Sequence, residues 1–170
     1  DPLLPSSAYG LGKSAAEHLC CLYRDKHGIQ TVIARCFAFV GTDLPLTAHY
    51  AMGNFINDAL YGTEINVRGD GSPLRSYMNQ SDLARWLLCI FDEGAAGHAY
   101  NVGSDEAISI SDLAYLVRDI LSPNKPVVFK NAKSSFMGRN IYIPDTSKAK
   151  SELGLEINIQ LNQSISQFLD

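Results

Sequence analysis

The chain has 170 residues, 46% hydrophobic and 19% charged, enough for one domain with a real core. Its formal net charge of -4 leaves no basic surplus, so no nucleic-acid partner is expected. No apolar run approaches the ~20 residues of a membrane span and no signal peptide opens the chain, so a cytoplasmic protein with no membrane partner is expected.

The four cysteines, Cys20, Cys21, Cys36 and Cys89, form no C-x-x-C pair and read as reduced, structural thiols. The histidines at 18, 27, 49 and 98 lack metal-ligand spacing, so no metal is expected.

Residues 1–7 read as a loop, with Ser6 or Ser7 able to cap the helix that follows. Tyr9-Gly10-Leu11-Gly12-Lys13 opens that helix and puts a phenol and an ammonium on one face, four residues apart. A free tyrosine, with a pKa near ~10, is a poor acid or base at neutral pH. A close lysine cation and the positive end of a helix both favour a phenolate, which can then exchange a proton with a sugar or alcohol hydroxyl. The spacing alone is more often that of an exposed Tyr and a solvated Lys on an amphipathic helix. Leu11, Ala15, His18 or Leu19, and Leu22 repeat at helical spacing as the apolar side, and Gly28 ends the helix. The β-branched run 31–34 reads as a buried strand leading into Arg35-Cys36-Phe37-Ala38-Phe39-Val40-Gly41. A helix followed by a buried strand is a piece of a parallel α/β sheet, whose strands end at the ligand crevice.

A second helix is expected over 51–60, closed by Gly62. Asn54 lies early in it, placed either to hydrogen-bond a ligand or to serve as a surface turn residue. A strand over 65–68, a turn over 69–73 and a returning strand over 74–78 form an expected hairpin. Arg68 and Arg75 on that hairpin form either a bidentate clamp for a diphosphate or a pair of surface arginines bound to Asp70 or Asp82. Ser81 is the expected cap of a third helix, with Leu83, Trp86, Leu87, Ile90 and Phe91 as its buried stripe. A strand over 99–103 follows, then Ser109-Ile110-Ser111-Asp112 as the capping box of a helix through Leu121. Strand 127–129, a loop over 131–138, an extended stretch over 140–143 and short helices over 147–153 and 161–169 complete the chain.

The order of these motifs resembles a known family. Ser7-Ala8-Tyr9-Gly10-Leu11-Gly12-Lys13-Ser14-Ala15-Ala16-Glu17 is similar to S-x-Y-G-x-S-K-x-x-x-E, and 35–41 is similar to R-x-x-N-x-Y-G. Val67-Arg68-Gly69-Asp70-Gly71, Arg75-Ser76-Tyr77, Asp82-Leu83-Ala84, Tyr100-Asn101-Val102-Gly103-Ser104 and Pro144-Asp145-Thr146-Ser147-Lys148-Ala149 follow in the same order and cover nearly the whole chain. The pattern is that of the extended short-chain dehydrogenase/reductases, specifically the NAD-dependent nucleotide-sugar epimerases and dehydratases.

The resemblance implies an α/β fold: the C-terminal part of a Rossmann-type, doubly wound sheet (1–40 and 80–105) with a small α/β substrate-binding subdomain (41–79 and 106–170). It implies an epimerase or 4,6-dehydratase that works on a nucleotide-diphosphate sugar through a 4-keto intermediate. Tyr9 is then the catalytic acid/base, and Lys13 binds the nicotinamide ribose and supports Tyr9. The Phe37 backbone lies beside the nicotinamide. Asn54, Arg68, Arg75 and Arg139 hold the substrate. NAD is mostly bound by an N-terminal half with a glycine-rich βαβ start, which these residues lack, so the 170 residues by themselves are not expected to turn over substrate. The intact enzyme is expected to be a homodimer through a helix bundle that uses the outward face of 17–26. The competing reading is a non-catalytic nucleotide-sugar-binding fragment without a cofactor domain. Three departures stand out. Ala38 occupies the place of a substrate-touching asparagine, Val40 and Thr42 replace Tyr and Pro, and no Arg-x-x-Asp element precedes Asp145.

Overall fold

A computed structural model describes residues 8–46, 50–130 and 140–169. The expected cap at Ser6 or Ser7, the loop over 131–138 and Arg139 lie outside the described residues.

Helix α1 (Ala8–His27) ends at Gly28, which takes φ 67° and donates its N–H to the Arg24 carbonyl at 2.9 Å. The face that α1 turns inward is not the expected one. None of its residues is buried, and its half-buried row is Glu17, Cys20, Cys21 and Arg24. Leu11, Leu19 and Leu22 are exposed on the nearly opposite side, because at 3.6 residues per turn the two rows lie about half a turn apart.

Strand β1 (Ile33–Cys36) is followed by β2 (Phe39–Val40), α2 (Ala51–Tyr61), β3 (Ile65–Arg68), β4 (Leu74–Arg75), β5 (Met78–Asn79), α3 (Gln80–Glu93) and β6 (Ala99–Val102). β1 and β6 pair in parallel, in register from Ile33↔Ala99 to Cys36↔Val102. A parallel pair needs a crossover, and α3 supplies its last leg. β2 and β5 form a second parallel pair. At two residues each they are too short to leave a period in the sequence.

The remaining elements are β7 (Ile108–Ser109), α4 (Ile110–Leu121), β8 (Val127–Lys130), β9 (Ile141–Tyr142), α5 (Ser147–Leu153), α6 (Leu161–Ser166) and a closing 3-10 turn (Gln167–Leu169). The expected 65–78 hairpin does not form. β3 pairs in parallel with β8, whereas β4 lies between antiparallel β7 and parallel β9. The turn is tied elsewhere: the Ser111 N–H donates to the Gly71 carbonyl and the Ile110 N–H to the Pro73 carbonyl, carrying β4 away to the start of α4. Gly71 has φ 76° and lies against Ser111 and Phe129, a position that suits glycine alone.

The cap of α3 is Asn79, whose side chain accepts from the Ser81 N–H at 2.8 Å, and not Ser81. Its buried row is Asp82, Trp86 and Ile90, at i, i+4 and i+8, while Leu87 and Phe91 are exposed. Asp82 belongs in the interior because it is fully engaged. It accepts the Asn158 and Ile159 N–H groups at 3.0 and 2.9 Å and holds Arg85 at 2.9 Å. The expected cap of α4 does form, with Ser109 accepting from the Asp112 N–H at 2.9 Å.

Two apolar clusters divide the interior. One joins α2, β3 and α4 through Phe55, Ile56, Ile65, Leu113 and Val117. The other packs Trp86, Ile90, Tyr100 and Val102 with Ala149 and Leu155, so α5 sits with the β1–β6 pair although the sequence groups it with the substrate-binding subdomain.

Asp82→Ala removes the shared acceptor of two partly buried N–H groups and the carboxylate partner of Arg85. It is expected to lower the unfolding free energy by about 3 kcal/mol in denaturant titrations. An unchanged midpoint contradicts this account of the α3 anchor.

Candidate active site at the strand ends

Tyr9 and Lys13 stand one turn apart near the start of α1, and the Lys13 ammonium lies 5.3 Å from the centre of the Tyr9 ring. Tyr9 is 79% exposed, open to a ligand. Lys13 also faces β1. The thiol of Cys36, the last residue of that strand, is pushed up by burial and pulled back by the Lys13 charge.

Phe37 extends the β1–β6 ladder by one bond, its N–H donating to the Val102 carbonyl at 3.0 Å. Gly103 follows β6 at the same level. A Cβ there would lie 3.0 Å from Pro144 Cγ and 3.1 Å from Phe37 Cβ, so the absence of a side chain lets these segments close together. The Phe37 ring stacks on Tyr142, with centroids 4.8 Å apart and planes 29° apart. Tyr142 in turn is the register partner of Arg75 on β4. The Arg75 guanidinium donates to the Leu74 carbonyl at 2.7 Å and lies near the Tyr77 phenol. Burial pushes that phenol up to about 12, with the Arg75 charge acting against it, so Tyr77 stays neutral at physiological pH.

The structure joins Phe37, Tyr142 and Arg75 into one run, with Tyr142 as a link that the sequence reading passed over, while Tyr9 and Lys13 stand together on α1. The run lies at the carboxyl ends of β1 and β6, where an open α/β sheet offers its ligand crevice. Asn54 and Arg68 sit on other elements. Asn54 is half-buried in the first turn of α2, and Arg68 is exposed at the end of β3, opposite Lys130. Ala38 packs against the larger apolar cluster, and its carbonyl accepts the Met78 N–H at 3.0 Å. The signal for Tyr142 was present in the chain: Arg-x-x-Asp spacing counted back from Asp145 falls on Tyr142.

A second polar contact fixes α1. Arg35 grips Glu17 bidentately, Nε to Oε1 at 2.8 Å and Nη2 to Oε2 at 2.6 Å. Glu17 therefore turns toward β1 and is not part of an outward face. Beside this fork, and apart from Tyr9, lies an open cleft of ≈ 310 Å³ lined by Glu17, Cys21, Ile33 and Arg35 among others. Among the described residues no helix is long and apolar enough to cross a membrane, and the four cysteines are free.

Parallel strand pairs with helices packed beside them define an α/β protein of the doubly wound type. The sequence model of the NAD dependent epimerase/dehydratase family matches residues 1–103, and the chain belongs to that family. It is 28% identical over 168 residues to UDP-glucuronic acid decarboxylase 1 of Danio rerio, covering 98% of this chain and 39% of the relative. It is 30% identical over 166 residues to UDP-glucuronic acid decarboxylase 6 of Arabidopsis thaliana, covering 97% and 47%. The UDP-glucose 4-epimerase of Thermotoga maritima superposes with a TM-score of 0.84 at 23% identity, over 95% of this chain and 52% of that one. A UDP-glucuronic acid 4-epimerase from Bacillus cereus, solved with UDP-glucuronic acid and NAD, gives 0.81 at 25% identity, over 97% and 52%. The chain therefore spans about two fifths to one half of the length of these relatives.

The Glu17–Arg35 fork carries a pH dependence. Hydrogen bonding by Arg35 holds the Glu17 carboxyl below its ordinary 4.5, against a smaller opposing effect of burial. A lowered folded value means that the unfolded chain binds more protons, so this stabilisation is complete above 4.5 and is lost as pH falls through the lower folded value. The stability difference between the wild type and Glu17→Gln is expected to shrink as pH drops from 7 to 3. An equal difference at both pH values contradicts the assignment.

Proposed function

We propose that this chain carries the Tyr/Lys pair and the substrate-binding half of an NAD-dependent epimerase or dehydratase acting on a nucleotide-diphosphate sugar through a 4-keto intermediate. The observation that carries this reading is a pair of groupings: Tyr9 with Lys13 on α1, and Phe37, Tyr142 and Arg75 joined by ring stacking and strand register. The first supplies a proton-transfer group and the second a phosphate-binding group.

Tyr9 is the acid/base: its phenolate oxygen takes the proton of a sugar hydroxyl and later returns it. Lys13, with its ammonium 5.3 Å from the centre of the Tyr9 ring, donates to the ribose hydroxyls. The residues present fit the cofactor. An exposed phenol and an ammonium face open space beside strand ends that Gly103 allows to close tightly around Phe37. Tyr9, Lys13 and the Phe37 backbone hold its nicotinamide end, and bound NAD supplies hydride acceptance and return. Arg75 grips the diphosphate with its planar fork, and Asn54, Arg68 and Arg139 complete the substrate contacts.

The relatives are named for UDP-glucuronic acid and UDP-glucose, which supports a UDP-sugar as the first substrate to try. Leu11, Leu19, Leu22 and Tyr23, exposed along α1, suit a helix-bundle homodimer. Four free cysteines suit a cytoplasmic setting.

Tyr9→Phe in the whole NAD-loaded enzyme is expected to lower kcat by about 10²- to 10⁴-fold, with calorimetric affinity for the UDP-sugar held within about threefold. Full turnover by that variant overturns the acid/base role.

A further inference from the structure

We infer that Tyr142 is a specificity-determining residue: its ring is the platform on which the glycosyl ring of the nucleotide sugar packs, beside the diphosphate held by Arg75. This rests on the function proposed above and gives a role to a tyrosine that stands where the family pattern has an arginine.

Three observations support it. One face of the Tyr142 ring is covered by Phe37 at 4.8 Å, which fixes the ring's orientation without burying it, since Tyr142 remains 38% exposed. Phe37 is itself pinned, by its N–H bond to Val102 and by its close approach to Gly103, so the platform stands on the ladder of the parallel pair. Tyr142 is also in register with Arg75, which puts an aromatic surface directly next to a guanidinium. An anion at Arg75 brings whatever is covalently attached to it over the neighbouring ring. The face of an aromatic ring carries partial negative charge and attracts the positive C–H edge of an apolar surface, which a pyranose offers on one side.

The position also gains meaning from what is missing. A second arginine at 142 would add a charge-assisted grip on phosphate, common to every nucleotide diphosphate. A tyrosine there removes that grip and adds a contact that only the sugar can make. Discrimination between the nucleotide sugar and the free nucleoside diphosphate should therefore depend on the ring.

The test is calorimetry on the whole NAD-loaded protein, titrated with UDP and with UDP-glucose. Tyr142→Ala is expected to weaken UDP-glucose by about tenfold and UDP by less than twofold, while Tyr142→Phe retains both affinities. Tyr142→Leu, which keeps side-chain volume, replaces the alanine variant if that one is not folded by circular dichroism. Arg75→Gln is expected to weaken both ligands by at least tenfold. If Arg75→Gln weakens both while Tyr142→Ala changes neither, or lowers both equally, the platform is refuted and the diphosphate site stands. If Arg75→Gln leaves both affinities unchanged, or wild-type protein binds neither ligand, the underlying function fails with it.

Discussion

The parallel pairing of β1 with β6 is the constraint on which the site depends. Four register pairs, from Ile33↔Ala99 to Cys36↔Val102, bring two sequence-distant strand ends to the same level, and the Phe37 bond to Val102 adds a fifth rung. Phe37 and Gly103 consequently emerge side by side, and the segment before Asp145 packs against them through Pro144 and Tyr142. Without that ladder Tyr142 has nothing to stack on, while its place beside Arg75 comes from the β4–β9 pairing. The chemistry sits on a rigid backbone register, which suits groups that must hold a phosphate and a sugar in fixed relation.

The two polar anchors act at different places. Asp82 ties α3 to the backbone at Asn158 and Ile159 and keeps the Trp86 cluster closed. Glu17 and Arg35 tie α1 to β1 where apolar burial is missing, since the inward row of α1 is Glu17, Cys20, Cys21 and Arg24. The position of Tyr9 and Lys13 therefore rests on a partly exposed ion pair, and the leucines of α1 remain available to another surface.

Sequence signals that act locally were legible. The Gly28 stop, the Ser109 cap, the α2 and α4 helices and the Tyr9/Lys13 spacing depend on neighbours within a turn, and each takes the form its residues dictate. Signals that depend on partners far along the chain were not. Residues 65–78 look like a hairpin because a glycine turn separates two short apolar runs, but β3 and β4 find their partners beyond residue 107 and Met78 pairs back with Phe39. Asp82 looks like a surface charge until the 158–159 backbone comes to meet it. Apolar periodicity on α1 and α3 announced an amphipathic helix without saying which face this chain would cover. The spacing to Asp145 marks position 142, but what a tyrosine does there comes from Phe37, more than a hundred residues earlier.

The most direct measurement is a crystal structure of the whole NAD-loaded protein with a bound UDP-sugar. The account predicts the diphosphate within hydrogen-bonding distance of Arg75, the sugar lying over Tyr142 and one of its hydroxyls at the Tyr9 oxygen. A nucleotide sugar seated away from the strand ends, for example in the cleft beside Glu17 and Arg35, would contradict it.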